Sequence, residues 1–100
     1  MKTFRAKIVT PEACVFDDAV ESLVAPGTDG FFGVLADHAP MIAGLAAGVL
    51  KVSAGGADLF FRVGGGVLDV SPGAVLLLTD SAVRSQAGSG ETGDPARRAA

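Results

Sequence analysis

Short apolar runs separated by glycine and proline residues extend along the whole chain, and this spacing is typical of all-β proteins. In the first run, residues 3–9, the apolar side chains of Phe4, Ala6 and Ile8 alternate with polar ones. Successive side chains of a strand point to opposite faces, so the run predicts a strand with one buried face. Thr10-Pro11 then ends it.

Residues 14–25 admit two interpretations. The spacing of their apolar side chains fits a helix that Asp17 could cap. Alternatively, Val20, Ser22 and Val24 form one face of a strand, with a bulge or turn at Asp17-Asp18. The local pattern slightly favours the helix. We predict a strand, because the neighbouring segments all indicate strands and a helix this short would be marginal alone.

Four further strands are predicted in the second half of the chain, at residues 49–53, 59–63, 67–70 and 74–80. They form two hairpins. Glycine- and proline-rich segments predict the turns between strands, and the Pro-Gly dipeptide suits a type II turn. These segments are residues 26–30, residues 54–58 and Ser71-Pro72-Gly73. Gly64-Gly65-Gly66 predicts a sharp bend or a close approach of two backbone segments.

The chain of 100 residues is predicted to form one all-β domain, at residues 1–86. Beyond Arg84 the composition shifts to Gly, Ser, Ala, Glu and Arg, which predicts a short disordered or weakly helical tail at residues 87–100. No apolar run approaches the ~20 residues that span a bilayer. The charged N-terminus lacks the apolar stretch of a signal peptide, so a soluble protein is expected.

Charge and residue types exclude several functions. The net charge of −3, without clustered Lys and Arg, argues against nucleic-acid binding. His38 is the only histidine, and Asp37 would point to the opposite face of an extended chain, so a structural loop contact is expected rather than catalysis. No residues have zinc-ligand spacing. The glycine-rich segments do not lead into a helix N-terminus, as a phosphate-binding loop would. We therefore predict no catalytic residue, metal or cofactor.

Apolar residues make up 49% of this small chain, so part of its surface is expected to face a partner. Phe31-Phe32 and Phe60-Phe61 should each place one ring outward, where it is either covered by a neighbouring loop or anchors an interface. Residues 75–78 are apolar on both faces. Either this strand is central and covered outside, or its outer face meets another protein.

Two ordered blocks resemble the epsilon subunit of F-type ATP synthases, and the resemblance covers residues 3 to about 86. The first block is Gly30-x-x-Gly33-Val34, His38-Ala39-Pro40-Met41 and Leu45-x-x-Gly48-Val49-Leu50; the second runs from Gly65-Gly66-Val67-Leu68-Asp69-Val70 through Pro72-Gly73 to Asp80-x-Ala82-x-Arg84. The resemblance implies a flattened β-sandwich of two five-stranded sheets, which favours the strand interpretation of residues 14–25.

The resemblance also implies a function. Such a subunit is a non-catalytic part of the central stalk, on the cytoplasmic face of the bacterial inner membrane. It binds the gamma subunit laterally and the ring of c subunits below. It couples rotation of the ring, driven by protons or sodium ions, to nucleotide chemistry in the alpha and beta subunits. The alternative is a free-standing β-sandwich interaction module of the same fold with another partner.

The resemblance places the loop of residues 27–38 at the end that meets the c ring. The implied c-ring contacts are Phe31, Phe32, Asp37 and His38. Many relatives carry a polar or acidic residue where this chain has Phe31, so an apolar contact is expected. One face of the sandwich should contact gamma, through Met41 and the outer side chains of residues 75–78, taken to be Val75 and Leu77.

Most bacterial relatives continue for some forty residues beyond this domain as a helical hairpin that restrains ATP hydrolysis. The sequence stops at Ala100, although residues 94–99 faintly resemble the start of the first of those helices. Pro95 is tolerated only in a first helical turn. We therefore expect a subunit that couples rotation, does not inhibit by inserting helices, and binds no nucleotide.

Overall fold

The computed structural model describes residues 2–85 and shows ten β-strands and no helix among them. The strands are β1 (Phe4–Val9), β2 (Cys14–Val20), β3 (Ser22–Gly27), β4 (Gly30–Leu35), β5 (Met41–Leu45), β6 (Gly48–Ala54), β7 (Ala57–Val63), β8 (Gly66–Ser71), β9 (Ala74–Thr79) and β10 (Ala82–Ser85). The all-β prediction is confirmed. The predicted tail at residues 87–100, with the faintly helix-like segment 94–99, lies outside the described residues.

The strands form two five-stranded sheets. The first has the order β4-β3-β6-β7-β10 and the second the order β5-β8-β9-β1-β2. Neighbouring strands are antiparallel, except that β1 and β9 are parallel. Gly27 of β3 and Leu45 of β5 form the one strand pair that joins the sheets within residues 2–85. This is the predicted flattened sandwich.

The core lies between the sheets and receives alternate side chains from each. Phe4, Ala6 and Ile8 are all buried, so the alternation of the first strand is confirmed. Leu50 of the first sheet and Leu77 of the second have no exposed surface. Each fully buried aliphatic side chain contributes about 1.5–3 kcal/mol through removal from water.

The strand interpretation of residues 14–25 is confirmed, but the segment forms two strands in different sheets. The predicted turn or bulge at Asp17-Asp18 is wrong, because both residues lie inside β2, where they pair with Lys7 and Ala6. The bulge lies instead at Val15 of β2, which falls between Phe16, the partner of Ile8, and Cys14, the partner of Val9.

The predicted face of Val20, Ser22 and Val24 is also wrong. Val20 is buried in the second sheet, whereas in β3 the residues Leu23 and Ala25 are buried and Ser22 and Val24 are not. The chain crosses from one sheet to the other between Val20 and Ser22. The inward alternation therefore restarts in a new phase.

Glycine conformation fixes two of the connections. Gly55 and Gly56 both have positive φ (59° and 81°) and form the two-residue turn of the predicted β6–β7 hairpin. At Gly66 (φ 148°), a Cβ atom would collide with the carbonyl oxygen of Leu78, so the predicted close backbone approach is confirmed. The predicted turn at residues 26–30 is shorter, because only Thr28 and Asp29 lie between β3 and β4.

The two aromatic pairs behave differently. Phe32 packs against the core and is half-buried, as is Phe31. Phe60 and Phe61 are both buried, so the outward-facing ring expected of this pair is covered. Phe61 belongs to the core, whereas Phe60 pairs with Lys51 on the opposite face of β7. Only the first pair therefore offers a ring to a partner.

Candidate protein-interaction site

A surface groove of about 470 Å³ lies between the β3–β4 hairpin and β5. We call it the edge groove; it is lined by residues 27–32 and 41–44. Phe31, Phe32 and Met41 are half-buried in its walls, and Ile42 is 74% exposed at its rim. The groove therefore offers apolar surface together with the backbone of two strands.

Small residues let the hairpin tip dock on β5 and close one end of the edge groove. The Thr28 N–H donates a hydrogen bond to the Gly44 carbonyl (3.0 Å), and the Ala46 N–H donates one to the Pro26 carbonyl (2.7 Å). A Cβ atom on Gly44 would come within 2.9 Å of the Thr28 hydroxyl oxygen. Glycine at this position therefore permits the contact that shapes the groove.

Unpaired backbone groups face the edge groove and the adjoining edge of β4. The carbonyl of Pro26 points away from β4. Because the backbone N–H and C=O groups of successive residues point to opposite sides of a strand, those of Ala25 and Gly27 point toward their partners in β4. In β4, Phe31 and Gly33 consequently direct their N–H and C=O groups to the free edge. The carbonyl of Gly44 points to Thr28, so Ile42 also directs its backbone away from β8.

The edge groove has an acidic rim. Asp29 is the only charged residue among those that line it in the described part of the chain. Asp69 pairs with Ile42 across β8 and β5 and is exposed. Within residues 2–85, no lysine or arginine lines the groove. A partner that binds here therefore meets apolar surface and negative charge.

A second apolar surface lies on part of the outer face of the second sheet. We call it the outer patch, and it comprises Val9, Ile42, Val67, Leu76 and Leu78. Val67 pairs with Leu78, and Leu78 pairs with Val9, which places three apolar side chains in one row across three strands. Isolated exposed apolar residues are common, whereas a contiguous row at a sheet face is typical of a protein contact.

The structure corrects the predicted gamma-contact residues of β9. Val75 (3% exposed) and Leu77 (0%) point into the core, so they offer no surface to a partner. They pair with Val70 and Leu68 of β8, which are also buried, and this register sets the phase of the strand. The outward side chains of β9 are Leu76 and Leu78. The sequence pattern correctly indicated that both faces of this strand are apolar. The prediction of which side chains point outward was wrong.

The predicted c-ring residues fall in two places. Phe31 and Phe32 line the edge groove together with Met41, which was predicted to contact gamma instead. Asp37 lines a separate cavity of about 430 Å³ and forms an exposed ion pair with Lys2 (2.9 Å). Ion pairs this exposed contribute little to stability. The structure brings Met41 to the two aromatic residues but does not bring Asp37 there.

The hydrogen bonds found for His38 within residues 2–85 are local. Its Nδ1 atom lies 2.7 Å from the carbonyl oxygen of Ala39, and its backbone N–H donates to the carbonyl of Leu35 (3.0 Å). These bonds fix the loop between β4 and β5, in keeping with the structural contact predicted for this residue.

Sequence reasoning missed Ile42, Val67 and Leu78 as surface residues. Ile42 could have been found from the alternation of β5, because it lies one position from the inward-facing Met41. Val67 and Leu78 become neighbours only through strand pairing. A signal for the exposure of Leu78 was present in the apolar character of both faces of β9.

One ion pair lies beside the outer patch. The Arg5 Nε atom donates to the Asp17 carboxylate at 2.7 Å, joining β1 to the edge strand β2. The hydrogen bond from Arg5 holds the pKa of the Asp17 carboxyl below its usual range, and the same bond raises the pKa of Arg5. The pair is exposed to solvent, so its electrostatic attraction is strongly screened.

Among residues 2–85, no group of three or more His, Cys, Asp or Glu side chains is placed to bind a metal ion. The same residues contain no helix long and apolar enough to cross a bilayer. The arrangement consists of an apolar groove with open strand edges and an apolar sheet face. It is suited to binding other protein chains.

The described structure is thus a β-sandwich that carries two adjoining apolar surfaces. The chain belongs to the family of the ATP synthase delta/epsilon chain β-sandwich domain, whose model matches residues 3–85. The resemblance drawn from the two sequence blocks is thereby confirmed.

Named relatives support this assignment. The chain is 42% identical over 84 residues to the ATP synthase epsilon chain of Desulforamulus reducens, covering 84% of this chain and 64% of that protein. It is 43% identical over 82 residues to the epsilon chain of Rhodopseudomonas palustris strain BisB5, covering 82% and 61%. The chain thus spans less than two thirds of the length of these relatives.

A solved structure shares the fold. The chain resembles a subunit in the cryo-EM structure of the mitochondrial ATP synthase of Euglena gracilis, which contains OSCP, F1 and the c-ring. The TM-score is 0.78 at 26% identity, and the match covers 82% of this chain and 53% of that one. Sequence and fold therefore agree on the family.

Proposed function

We propose that this chain is the epsilon-type subunit of the central stalk of a rotary ATP synthase, where it links the gamma subunit to the c ring. The observation that carries the proposal is the 42% identity to an ATP synthase epsilon chain over 84 residues. The likeness to a subunit from an assembly of F1 with a c-ring supports it independently.

In this role the subunit is non-catalytic. The residues at its two surfaces supply apolar contact and backbone hydrogen-bonding groups, which suit binding and the transmission of torque. Catalysis belongs to the alpha and beta subunits, which this chain reaches only indirectly. The complex holds it at the membrane, on the cytoplasmic face of the bacterial inner membrane, and the transported ion is a proton or a sodium ion.

The two surfaces suit the two partners. We assign the edge groove to the c ring, with Phe31, Phe32 and the adjoining Met41 as contacts; Asp37 and His38 complete the predicted c-ring set. We assign the outer patch to gamma, with Leu76 and Leu78 in place of Val75 and Leu77. Ile42 borders both surfaces, because it lines the edge groove and lies on the outer face of β5.

Co-expression with the gamma subunit of the same genome tests the proposal. A stable complex is expected to co-purify at micromolar concentration and to bind the c ring when it is added. The Val83→Asp variant, altered on β10 away from both surfaces, is the matched control and should form the same complex. A folded wild-type chain that co-purifies with neither partner would contradict the stalk assignment and favour an adaptor with another partner.

A further inference from the structure

The strands at the ends of the sheets differ in how they are protected. Exposed strand edges invite pairing with other chains, and proteins usually block them with charges, proline, bulges or short strands. The edge strand β2 carries Asp17 and Asp18 and pairs with β1 through a bulge. The edge strand β10 has only four residues and carries Arg84.

The strands β4 and β5 have none of these devices. Their sequences, Gly-Phe-Phe-Gly-Val-Leu and Met-Ile-Ala-Gly-Leu, contain no charged residue and no proline. β4 pairs only with β3, and β5 only with β8 and at Gly27, within the described residues. Both strands flank the edge groove. The unprotected edges of the sandwich therefore lie side by side.

The free edge of β4 offers a regular series of backbone groups. Phe31 and Gly33 direct N–H and C=O outward, and the Leu35 carbonyl accepts the His38 N–H at 3.0 Å, which confirms the outward phase. Gly33, in the middle of this edge, is exposed. The edge can therefore pair with about five residues of an extended segment.

We propose that the free edge of β4 binds an extended segment of a protein partner as an additional β-strand. Backbone hydrogen bonds to Phe31 and Gly33 hold the segment, and its inward side chains enter the edge groove beside Phe31 and Met41. The segment lacks acidic side chains, because Asp29 and Asp69 border the site without a lining cation. Strand addition of this kind is a recurring mode of peptide recognition.

The inference rests on the proposed function in one respect, namely that the segment comes from a stalk partner. Residue-resolved amide hydrogen exchange tests the strand addition. Three samples are compared: the full chain alone, the chain with gamma, and the chain with gamma and the c ring. The amides of Phe31 and Gly33 exchange rapidly in the free chain and at least about tenfold more slowly in the complex. The amides of Phe32 and Val34, which bond to β3, are slow in both states and serve as the internal control.

A pair of substitutions isolates the backbone contribution. Gly33→Pro removes the outward N–H without removing a β3 hydrogen bond, and proline is tolerated on the free side of an edge strand. A Cβ atom at this position has its nearest neighbour, the Leu23 carbonyl oxygen, at 3.8 Å. Gly33→Pro should weaken complex formation about tenfold or more, whereas Gly33→Ala, which keeps the N–H, should bind like the wild type.

Each alternative outcome has its own signature. A complex whose Phe31 and Gly33 amides still exchange rapidly overturns the strand addition alone, and no complex at all overturns the proposed function with it. Protection in the isolated chain that rises with concentration would show pairing between two copies. Protection in the isolated chain that is lost when the chain is ended at Ser85 would show pairing with residues 86–100. Either result overturns the inference.

Discussion

Val67 pairs with Leu78 across β8 and β9, and both side chains remain exposed, at 42% and 47%, on the outer face of the second sheet. We expect Leu78→Asp to weaken gamma binding by more than about 1 kcal/mol, because it places a charge in the middle of an apolar contact. Thermal unfolding should change little, since surface substitutions usually alter stability by less than about 0.5 kcal/mol.

The measurement is titration of the purified chain with gamma. Val83→Asp is the control, because Val83 is 65% exposed on β10 of the other sheet. Equal affinity of the two variants would remove Leu78 from the interface.

The inward phase of β9 predicts losses of stability of different size for two neighbouring leucines. Leu77→Ala should lower the free energy of unfolding by about 2–5 kcal/mol, since it removes a fully buried side chain and leaves a cavity. Leu76→Ala should cost much less, because Leu76 is only half-buried. Urea denaturation of both variants measures the difference. A larger loss from Leu76→Ala would reverse the assignment of the faces.

Phe31 is the residue whose change best tests the c-ring contact. Phe31→Asp should weaken attachment of the chain to the c ring, because it puts a carboxylate beside Asp29 in an apolar groove. Phe31→Leu preserves the apolar character and should retain most of the binding. ATP synthesis by vesicles that carry each variant, with circular dichroism of the isolated chains, provides the readout. Unchanged coupling in the Phe31→Asp complex would exclude Phe31 from the contact.

The ion pair of Arg5 and Asp17 predicts a dependence on acid pH. The pKa of Asp17 is lowered in the folded chain from its ordinary value of 3.8, so its stabilising effect is present above that value. The effect is lost as the pH falls through the lowered pKa of the folded state. Asp17→Asn should therefore melt below the wild type at neutral pH, and the gap should close in stronger acid.

Melting temperatures of both proteins across this range measure the effect of the ion pair. Asp29→Asn controls for the removal of a negative charge alone. If the difference in melting temperature between Asp17→Asn and the wild type persists unchanged in strong acid, its cause is not the ion pair.

Much of the fold could be predicted from the sequence, because its signals are local. Phe4, Ala6 and Ile8 alternate with polar residues, a spacing that places all three side chains on one face of a strand. Gly55-Gly56 suits a turn whose two residues both need positive φ. Such features depend on near neighbours in the chain, and each was found where the pattern indicated.

The errors arose where distant pairing decides the outcome. Both faces of residues 75–78 are apolar, so their pattern does not show which side chains point inward. The pairing with Leu68 and Val70 of β8 decides this. The crossing of the chain between the sheets at Glu21 reset the phase of β3. The edge groove depends on the pairing of Gly27 with Leu45, which no local pattern records.

The parallel pairing of β1 with β9 constrains the order in which the chain can fold. Ile8 pairs with Leu77, so β1 cannot take its final place until nearly the whole domain has been synthesised. The strands β3, β4, β6 and β7 of the first sheet lie within residues 22–63, a stretch that also contains β5 of the second sheet. We expect this sheet to form early during translation, while the N-terminal strand waits for the last hairpin, because contacts between distant residues close slowly.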